Sequence, residues 1–355
     1  MSMLTSVDAH TSQVDDFAVL FDRALHDFLS TRHDHAPELA DELRGMVLAG
    51  GKRIRPTFAW WGWRAAGGAH RADAVVRALV ALEVLQCCAL VHDDVMDRSP
   101  TRRGRPSVHE VYAARHRRER CAGSARQYGD SAAVLVGDLA LAWADDALVT
   151  AGLPADALHR GWEAWQAMRT EMIVGQHLDL LAVARRDESL EHAIRVAALK
   201  TAAYTVERPL HLGAALAGAC PEVVECLREF GHDIGVAFQL RDDLIGAFGD
   251  SAVTGKPVGE DIREGKRTPL MAIALSRAQD RPAALGLLRR CLDGGPVSVD
   301  EVLAVLVELG AVAAVEEHIE LLAASGLAAL ERAVIEDDAR RALVRLANRA
   351  VTRTT

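Results

Sequence analysis

Two groups of aspartates, each at the end of an apolar segment, have residue types and spacing suited to catalysis. The first group, Asp93, Asp94 and Asp97, follows the apolar residues 81–91. Asp93 and Asp97 are four residues apart, so in a helix they share one face with their Cβ atoms about 5–6 Å apart. Carboxylates at the C-terminal end of a helix meet the negative end of its dipole, which favours a cation there. Mg²⁺, which proteins bind with a few carboxylates plus substrate phosphates, is the natural candidate; a solvated acidic helix end is the alternative for this group alone.

A second group, Asp242 and Asp243, ends the apolar residues 230–240 in the same way. One short motif often misleads, but two such groups, each followed by a basic segment, are hard to attribute to chance. Acidic and basic residues at one site suit a magnesium-bridged diphosphate, because cations and side-chain donors share the phosphate charge. Any single basic residue is equally well explained as part of the surface; those near the two groups are Lys52, Arg53, Arg55, Arg102, Arg103, Lys200, Lys256, Lys266 and Arg267.

Other chemistries find little support in the sequence. The stretch around Lys52 is not a P-loop, because Met46 stands where the first glycine is required and Arg53 replaces the Ser or Thr. Zinc spacing of the CxxC type is absent. A net charge of −9 argues against nucleic-acid binding, and the basic residues 115–120 are interpreted as a solvated charge run.

The elements that must position these groups are predicted to be helices. Apolar residues recur at spacings of three and four over 14–31, and convincing alternating strands are absent. Similar segments cover 72–92, 131–150, 158–182, 190–219, 221–247 and 300–350, and two charged segments, 98–130 and 249–268, are predicted to be irregular. We therefore expect one all-α domain over 1–355, with a disordered tail over 1–13.

Cysteine usage and hydropathy indicate the compartment. The six cysteines form no disulfide framework, which is typical of a reducing cytoplasm. Acidic residues occupy the N-terminus where a signal peptide needs an apolar stretch. We found no apolar run approaching the roughly 20 residues that span a bilayer. A soluble, cytoplasmic protein without stable membrane insertion is predicted.

Taken together, the motifs resemble those of the trans-polyprenyl diphosphate synthase family. In the family's order they are GGKRxRP at 50–56, DDxxD at 93–97 with RRG at 102–104, GQxxD at 175–179, KT at 200–201, FQxxDD at 238–243, and GK at 255–256 followed by DxxxGK ending at Lys266. The resemblance runs from about residue 44 to residue 346, and the second aspartate motif is similar to that of actinobacterial geranylgeranyl diphosphate synthases. It implies a single-domain helical bundle of the isoprenoid synthase type with a central cavity, and a homodimer.

The resemblance also implies residue roles. Asp93, Asp97 and Asp242 would bind Mg²⁺, with Asp94 and Asp243 assisting directly or through water. The allylic diphosphate (dimethylallyl, geranyl or farnesyl) would be held by Arg102, Lys200, Thr201, Gln239, Lys256 and Lys266. Isopentenyl diphosphate would be held by Lys52, Arg55, Arg103 and Gln86, the last at a position that is often histidine.

The implied reaction is ionisation of an allylic diphosphate, attack by the double bond of isopentenyl diphosphate, and loss of a proton. Metal and basic residues stabilise the departing diphosphate, so no side-chain nucleophile is required. The sequence departs from the family at Gly246, where a third aspartate is usual, and Asp250 is a weak candidate to compensate. A class I terpene cyclase and a non-catalytic partner subunit are the alternative functions.

Product length is argued from helix geometry. One isoprene unit is about as long as one helical turn, roughly 5.4 Å. Cys88 and Ala89, a turn before Asp93, are small and should not stop a C15 chain, whereas Leu85 and Leu82 are placed to form a floor. We predict mainly the C20 product, geranylgeranyl diphosphate; the alternative is that a facing helix sets the length.

Overall fold

The fold is almost entirely helical, as predicted. The computed structural model describes residues 5–32, 37–69, 73–249 and 259–352. Its helices are α1 (Thr5–Ser30), α2 (Pro37–Leu48), α3 (Ile54–Ala65), α4 (Asp73–Asp97), α5 (Val108–Arg118), α6 (Ala125–Val149), α7 (Ala155–Arg185), α8 (Leu190–Val196), a π-helix (Ala197–Glu207), α9 (Arg208–Ala217), α10 (Pro221–Phe248), α11 (Glu260–Arg263), α12 (Pro269–Arg277), α13 (Pro282–Leu292), α14 (Val299–Glu308), α15 (Ala311–Arg332) and α16 (Asp337–Thr352). The single-domain boundary and the tail over 1–13 stay predictions, although α1 begins inside that tail segment.

Two hydrophobic clusters form the core, and α10 contributes to both. The larger cluster packs α4 against α1, α3 and α6, and it includes Trp165 of α7 and Phe230 of α10. The smaller cluster lies under the C-terminal helices and includes Leu240 and Leu244 of α10. Because α10 is anchored on both sides, the second aspartate group at its C-terminal end is held on a rigid element.

The segment predicted to be irregular over 98–130 is in fact ordered secondary structure. It contains an antiparallel hairpin, β1 (Thr101–Arg102) with β2 (Arg105–Pro106), and then α5. Helix α5 escaped sequence reasoning because its buried stripe consists largely of His109, Tyr112 and His116 rather than aliphatic residues. Its remaining positions carry the charge run, so the hydropathy pattern is hidden.

The hairpin has a two-residue turn that fixes the basic residues after α4. Arg103 and Gly104 have φ angles of 52° and 72°. Positive φ at both positions is the signature of the type I′ turn that joins two-residue hairpins. Glycine tolerates this region freely, whereas arginine adopts it at a cost. The turn therefore fixes the backbone geometry from which the Arg102 and Arg103 side chains extend.

Helix α4 bears on the prediction that the chain has no membrane-spanning segment. It is long and apolar enough to pass a test for a membrane-spanning helix, contrary to the prediction that no such run exists. However, 72% of its apolar window is buried inside the protein. A central core helix is hydrophobic all round for the same reason that a membrane helix is, and α4 is surrounded by protein.

Three glycines allow other helices to approach the π-helix closely. A Cβ at Gly175 of α7 would lie 2.7 Å from Cα of Lys200, and one at Gly235 of α10 would lie 2.7 Å from Cα of Ala202. Gly231, one turn earlier on α10, is equally close to Glu207, with 2.6 Å to its Cα. π-Helical segments often mark functional sites. This one carries Lys200 and Thr201 between α7 and α10.

Candidate active site

The first aspartate group lies at the C-terminal end of α4, where the structure separates its members. Asp93 is half-buried, Asp97 is exposed, and Asp94 is buried with 1% of its surface accessible. Arg102 of β1 donates from Nε to Asp94 Oδ1 over 2.8 Å, and its Nη2 lies 3.4 Å from Asp93 Oδ2. Because Arg102 occupies the Asp94 carboxylate, the geometry favours the second of the two roles predicted for Asp94, which is to assist a metal ion indirectly rather than to bind it.

The pKa shifts at this helix end reflect crowding of negative charge. Although Asp97 is exposed at the surface, desolvation by the surrounding protein atoms, and then the neighbouring Asp93 carboxylate, raise its pKa to about 6. Burial also raises the pKa of Asp94, although Arg102 acts in the opposite direction. Because an added cation favours the charged form of both groups, this end of α4 is suited to bind one.

Lys200 joins three elements at one point. Its Nζ lies 3.1 Å from Asp93 Oδ1 of α4 and 2.7 Å from Asp179 Oδ2 of α7. Thr201 follows it on the π-helix and is half-buried. Asp179 was noted in the sequence only as part of the GQxxD motif, with no role assigned. The structure makes it the direct partner of Lys200.

The second aspartate group lies in the last two turns of α10. Gln239 donates to Asp243 Oδ1 over 2.7 Å, while Asp243 Oδ2 is buried without a hydrogen-bond donor among the described residues. Burial, and then the charge of Asp261, raise the pKa of Asp243 to about 8. Asp242, next to it, is half-buried. Lys256 lies outside the described residues.

Beyond α10, Lys266 pairs with Asp261. Its Nζ is 2.8 Å from Asp261 Oδ1 and 2.9 Å from Glu264 Oε2. Asp261 was quoted in the sequence only as part of the DxxxGK motif. Its position next to α10 was not foreseen, because it depends on how α11 folds back.

The two aspartate groups face common neighbours. After burial and nearer charges, Asp179 raises and Lys266 lowers the pKa of Asp97. The same two residues act in the same directions on the pKa of Asp243. The packing also links them, because the π-helix that carries Lys200 lies against both α7 and α10.

A basic loop before α3 lies beside the hairpin. The Arg103 guanidinium donates to the carbonyl of Gly50, and Gly50 has a φ of 89°. Arg55 donates from Nη2 to Thr205 Oγ1 over 2.9 Å, and its guanidinium carbon lies 4.2 Å from the centre of the Tyr204 ring. The structure therefore brings the 50–56 motif to both the hairpin and the π-helix.

Lys52 and Gln86, the other two residues predicted to hold isopentenyl diphosphate, differ in exposure. Lys52 is exposed on the same loop. Gln86 is half-buried on α4, and its Oε1 has no donor among the described residues. Sequence reasoning missed Tyr204 and Thr205, which lie about one turn after the KT motif on the π-helix.

The residues predicted to set product length differ in exposure. Ala89 is half-buried, on the face of α4 that continues to Asp93 and Asp97. Leu85 is fully buried, and Cys88 is 2% exposed with its Sγ 3.7 Å from His92 Nδ1. Of these three residues, Ala89 alone is partly exposed. We call the side of α4 that carries Ala89, Asp93 and Asp97 its open face.

Within the described ranges, no three His, Cys, Asp or Glu residues are close enough to hold a metal ion unaided. The fold and site together define an all-α enzyme with acidic and basic side chains arranged for a diphosphate and a divalent cation.

Comparison with known proteins identifies the family. The sequence model of the polyprenyl synthetase family matches residues 36–309. A geranylfarnesyl diphosphate synthase from Aeropyrum pernix is 32% identical over 74% of this chain and 77% of its own length. The crystal structure of a geranylgeranyl pyrophosphate synthase from Corynebacterium glutamicum, complexed with isoprenyl diphosphate and magnesium, is 44% identical with a TM-score of 0.90, over 95% of this chain and 98% of that one.

A polyprenyl synthase from Caulobacter crescentus, complexed with calcium and isoprenyl diphosphate, is 27% identical with a TM-score of 0.80, over 99% of this chain and 98% of its own. The chain belongs to the polyprenyl synthetase family. The predictions of an all-α fold and of an isoprenyl diphosphate synthase are confirmed. The likeness to structures complexed with magnesium or calcium also supports a divalent cation.

Proposed function

We propose that this chain condenses isopentenyl diphosphate with an allylic diphosphate in a Mg²⁺-dependent reaction, with geranylgeranyl diphosphate (C20) as its main product. The observation that carries the proposal is the position of Lys200, which joins the first aspartate group to Asp179 from the π-helix that packs against α10. Lys200 Nζ lies 3.1 Å from Asp93 Oδ1 and 2.7 Å from Asp179 Oδ2, and Lys266 pairs with Asp261 next to the end of α10. A diphosphate with divalent cations fits such alternation of charges.

The donor set suits Mg²⁺. Asp93 and Asp97 lie on one face of α4, Asp242 lies in the last two turns of α10, and Asp243 Oδ2 is a buried acceptor that lacks a donor among the described residues. Asp93, Asp97 and Asp242 would hold the ions, with Asp243 acting through water. When bound, the ions supply Lewis-acid stabilisation of the diphosphate leaving group.

The side chains of this protein bind and orient both substrates. Arg102, Lys200 and Lys266 neutralise the allylic diphosphate, and each already contacts a carboxylate that fixes its position. Asp94 acts as a positioning residue, because it is buried against Arg102. Thr201, Gln239 and Lys256 are assigned to the same diphosphate on the family motifs. Preorganised charge of this kind contributes to catalysis without reorganisation during the reaction.

The second substrate is assigned to the basic loop. Arg103 contacts Gly50, and Arg55 lies over Tyr204. With Lys52 and Gln86 they would hold isopentenyl diphosphate beside the allylic carbon. Holding two reactants together converts a bimolecular step into an effectively unimolecular one. The new carbon–carbon bond uses the electrons of the double bond, and the released diphosphate is positioned to take the proton.

Product length, quaternary structure and location complete the proposal. Ala89 leaves room on the open face of α4 for a chain longer than C15, and the buried Leu85 and Leu82 would limit it. Apolar side chains exposed on α6 and α7, including Leu135 at 54% and Ile173 at 55%, offer a face for a second copy of the chain. A cytoplasmic homodimer is therefore proposed.

The test is to give the purified chain Mg²⁺, isopentenyl diphosphate and each allylic primer in turn, and to size the products by chromatography. Mainly C20 product, abolished by chelation of the metal, is the expected result. No product from any primer would favour a non-catalytic partner subunit. A hydrocarbon formed from geranylgeranyl diphosphate alone would favour a terpene cyclase.

A further inference from the structure

A cluster of charged side chains lies at the C-terminal end of the π-helix, and none of them has a role in the reaction proposed above. Glu207 is the last residue of the π-helix that carries Lys200, and Arg208 is the first residue of α9. Both are buried, with 7% and 9% of their surfaces accessible. Burying a charge costs free energy unless partners compensate, so the contacts of these two residues indicate what they hold in place.

Glu207 and Arg208 contact two different helices. Arg208 donates from Nε to Glu171 Oε2 of α7 over 2.8 Å, and its Nη2 donates to Glu171 Oε1. Glu207 Oε1 accepts from Nε of Arg228 on α10 over 3.0 Å. His232, one turn later on α10, lies with its Nδ1 3.6 Å from Glu207 Oε2. Consecutive residues are therefore tied to α7 and to α10.

The charge states in this cluster fix the direction of the Arg208 side chain. Burial, and then the charge of Arg208, lower the pKa of His211 to about 4. His211 is therefore neutral near neutral pH, and its Nδ1 accepts from Arg208 Nη1 over 3.2 Å. Burial opposes ionisation of Glu207, but hydrogen bonding to His232 and the charge of Arg208 hold its pKa below the usual value. Arg208 thus donates from all three of its side-chain nitrogens.

The Arg208 contact lies on the same face of α7 as the contacts with Lys200. Glu171, Gly175 and Asp179 follow one another at intervals of four residues. Gly175 lets the Lys200 backbone approach, and Asp179 Oδ2 lies 2.7 Å from Lys200 Nζ. The chain from Lys200 to Arg208 therefore lies along this face and is bound to it by a charged pair at each end.

A buried ion pair is better suited to fix the register of a helix than to stabilise it. Replacing such a pair by apolar side chains is often neutral or stabilising, whereas setting register is its best-attested use. Register matters here because a π-helix makes i→i+5 hydrogen bonds, and a return to i→i+4 bonds would rotate Lys200 relative to Arg208. The pairs of Arg208 with Glu171 and of Lys200 with Asp179 are both formed in the π-helical arrangement.

We propose that Arg208 and Glu171 form a positioning pair, which fixes the register of the π-helix against α7 and so holds the Lys200 ammonium where the diphosphate of the allylic substrate binds. Glu207 anchors the same point of the chain to α10. Arg208 and Glu171 act through Lys200 and are not catalytic residues. This role rests on the proposed function, because that function assigns the diphosphate to Lys200.

The experiment replaces the charged pair by apolar side chains in the variant Glu171→Leu/Arg208→Met. Binding of inorganic diphosphate to the full chain is measured by calorimetry in the presence of Mg²⁺, and kcat is measured with farnesyl and isopentenyl diphosphates. Because the pair fixes register rather than stability, the melting temperature stays within a few degrees of that of the unaltered chain. We expect the diphosphate affinity to fall by about 10-fold and kcat by about 100-fold, as when a supporting group is lost and a catalytic group is displaced.

A double-mutant cycle with Lys200→Ala separates positioning from a general effect on the fold. In the Lys200→Ala background, replacing the pair should change the diphosphate affinity by less than about 2-fold, because residues that act through one group are not additive. The matched control is Arg169→Met/Asp145→Asn, which removes a charged pair that joins α7 to α6 instead, with 2.6 Å between Arg169 Nη1 and Asp145 Oδ2. Asparagine keeps an acceptor for Trp165, and this control should bind diphosphate like the unaltered chain.

The positioning role is overturned if folded Glu171→Leu/Arg208→Met binds diphosphate like the control, or if its loss of affinity persists in full after Lys200→Ala. Where the apolar pair prevents folding, Arg208→Lys carries the same test, because lysine keeps the charge but cannot make both hydrogen bonds to Glu171. A smaller loss that vanishes in the Lys200→Ala background supports the role, and no loss overturns it. Diphosphate binding needs no turnover, so an unaltered chain that binds diphosphate but makes no product from any primer refutes the proposed function alone.

Discussion

Replacing Gly175 by alanine tests whether the site depends on the close approach of α7 to the π-helix. The added Cβ would lie 2.7 Å from Cα of Lys200 and 2.9 Å from the carbonyl carbon of Leu199. Both are backbone atoms, so no rotamer change relieves the clash. The two helices must separate at the residue that links Asp93 to Asp179.

The magnitude follows from contact distances. Carbon atoms pack at about 3.5 Å or more, so Lys200 must move by roughly 0.8 Å. Misplacement of about 1 Å at a catalytic group costs on the order of 100-fold in rate, equivalent to about 2.7 kcal/mol. Overpacking destabilises by about 1–3 kcal/mol. Because alanine is favoured over glycine in a helix by about 1 kcal/mol, the net loss of stability is small.

The assay is steady-state kinetics with farnesyl and isopentenyl diphosphates, alongside thermal unfolding. We expect kcat to fall about 100-fold while the melting temperature falls by a few degrees. Gly45→Ala and Gly286→Ala are controls, since neither added Cβ meets an atom closer than 3.7 Å. An unchanged kcat in folded Gly175→Ala would refute the reasoning, because it would mean that the position of Lys200 does not matter.

Three further predictions concern stability and product length. Burial raises the pKa of Asp243 to about 8, so the metal-free fold binds one more proton than the unfolded chain between about pH 4 and 8. The free energy of unfolding therefore falls as pH rises through this window, by at most about 1.4 kcal/mol per pH unit. Urea unfolding of the metal-free chain should show a smaller pH slope in Asp243→Asn. Arg102→Leu leaves Asp94 buried without its partner and should cost about 3 kcal/mol in urea unfolding, besides abolishing activity. Ala89→Phe should shorten the main product from C20 to C15, as measured by chromatography. Cys88→Phe disturbs the buried contact with His92 and should reduce the stability of the fold more than Ala89→Phe does.

Each of these can fail clearly. Equal pH slopes in the two chains would mean that Asp243 is not the titrating group. Full stability of Arg102→Leu would show that Asp94 finds another partner. An unchanged C20 product from Ala89→Phe would move the length limit to a facing helix, and a Cys88→Phe variant as stable as Ala89→Phe would mean that the buried contact with His92 contributes nothing.

Sequence reasoning worked best where local pattern and chemistry coincide. The placement of both aspartate groups near the C-terminal ends of α4 and α10 could be predicted, because long apolar runs stop at Asp93 and Asp242 shortly before each helix ends. It failed at α5, whose buried stripe is carried by His109, Tyr112 and His116 rather than aliphatic residues. It also judged that no apolar run approaches the length of a membrane span, whereas α4 passes that test by length and composition.

The sequence by itself determined the helical class, the two aspartate groups and the basic residues that accompany them, because period and residue type are local properties. Only the tertiary structure decided which groups meet. Lys200 reaches Asp93 and Asp179 because Gly175 lets two helices touch, and Asp261 lies over Gly246 because α11 folds back on α10. Such contacts join residues far apart in the chain, and they depend on packing distances that no spacing along one sequence encodes.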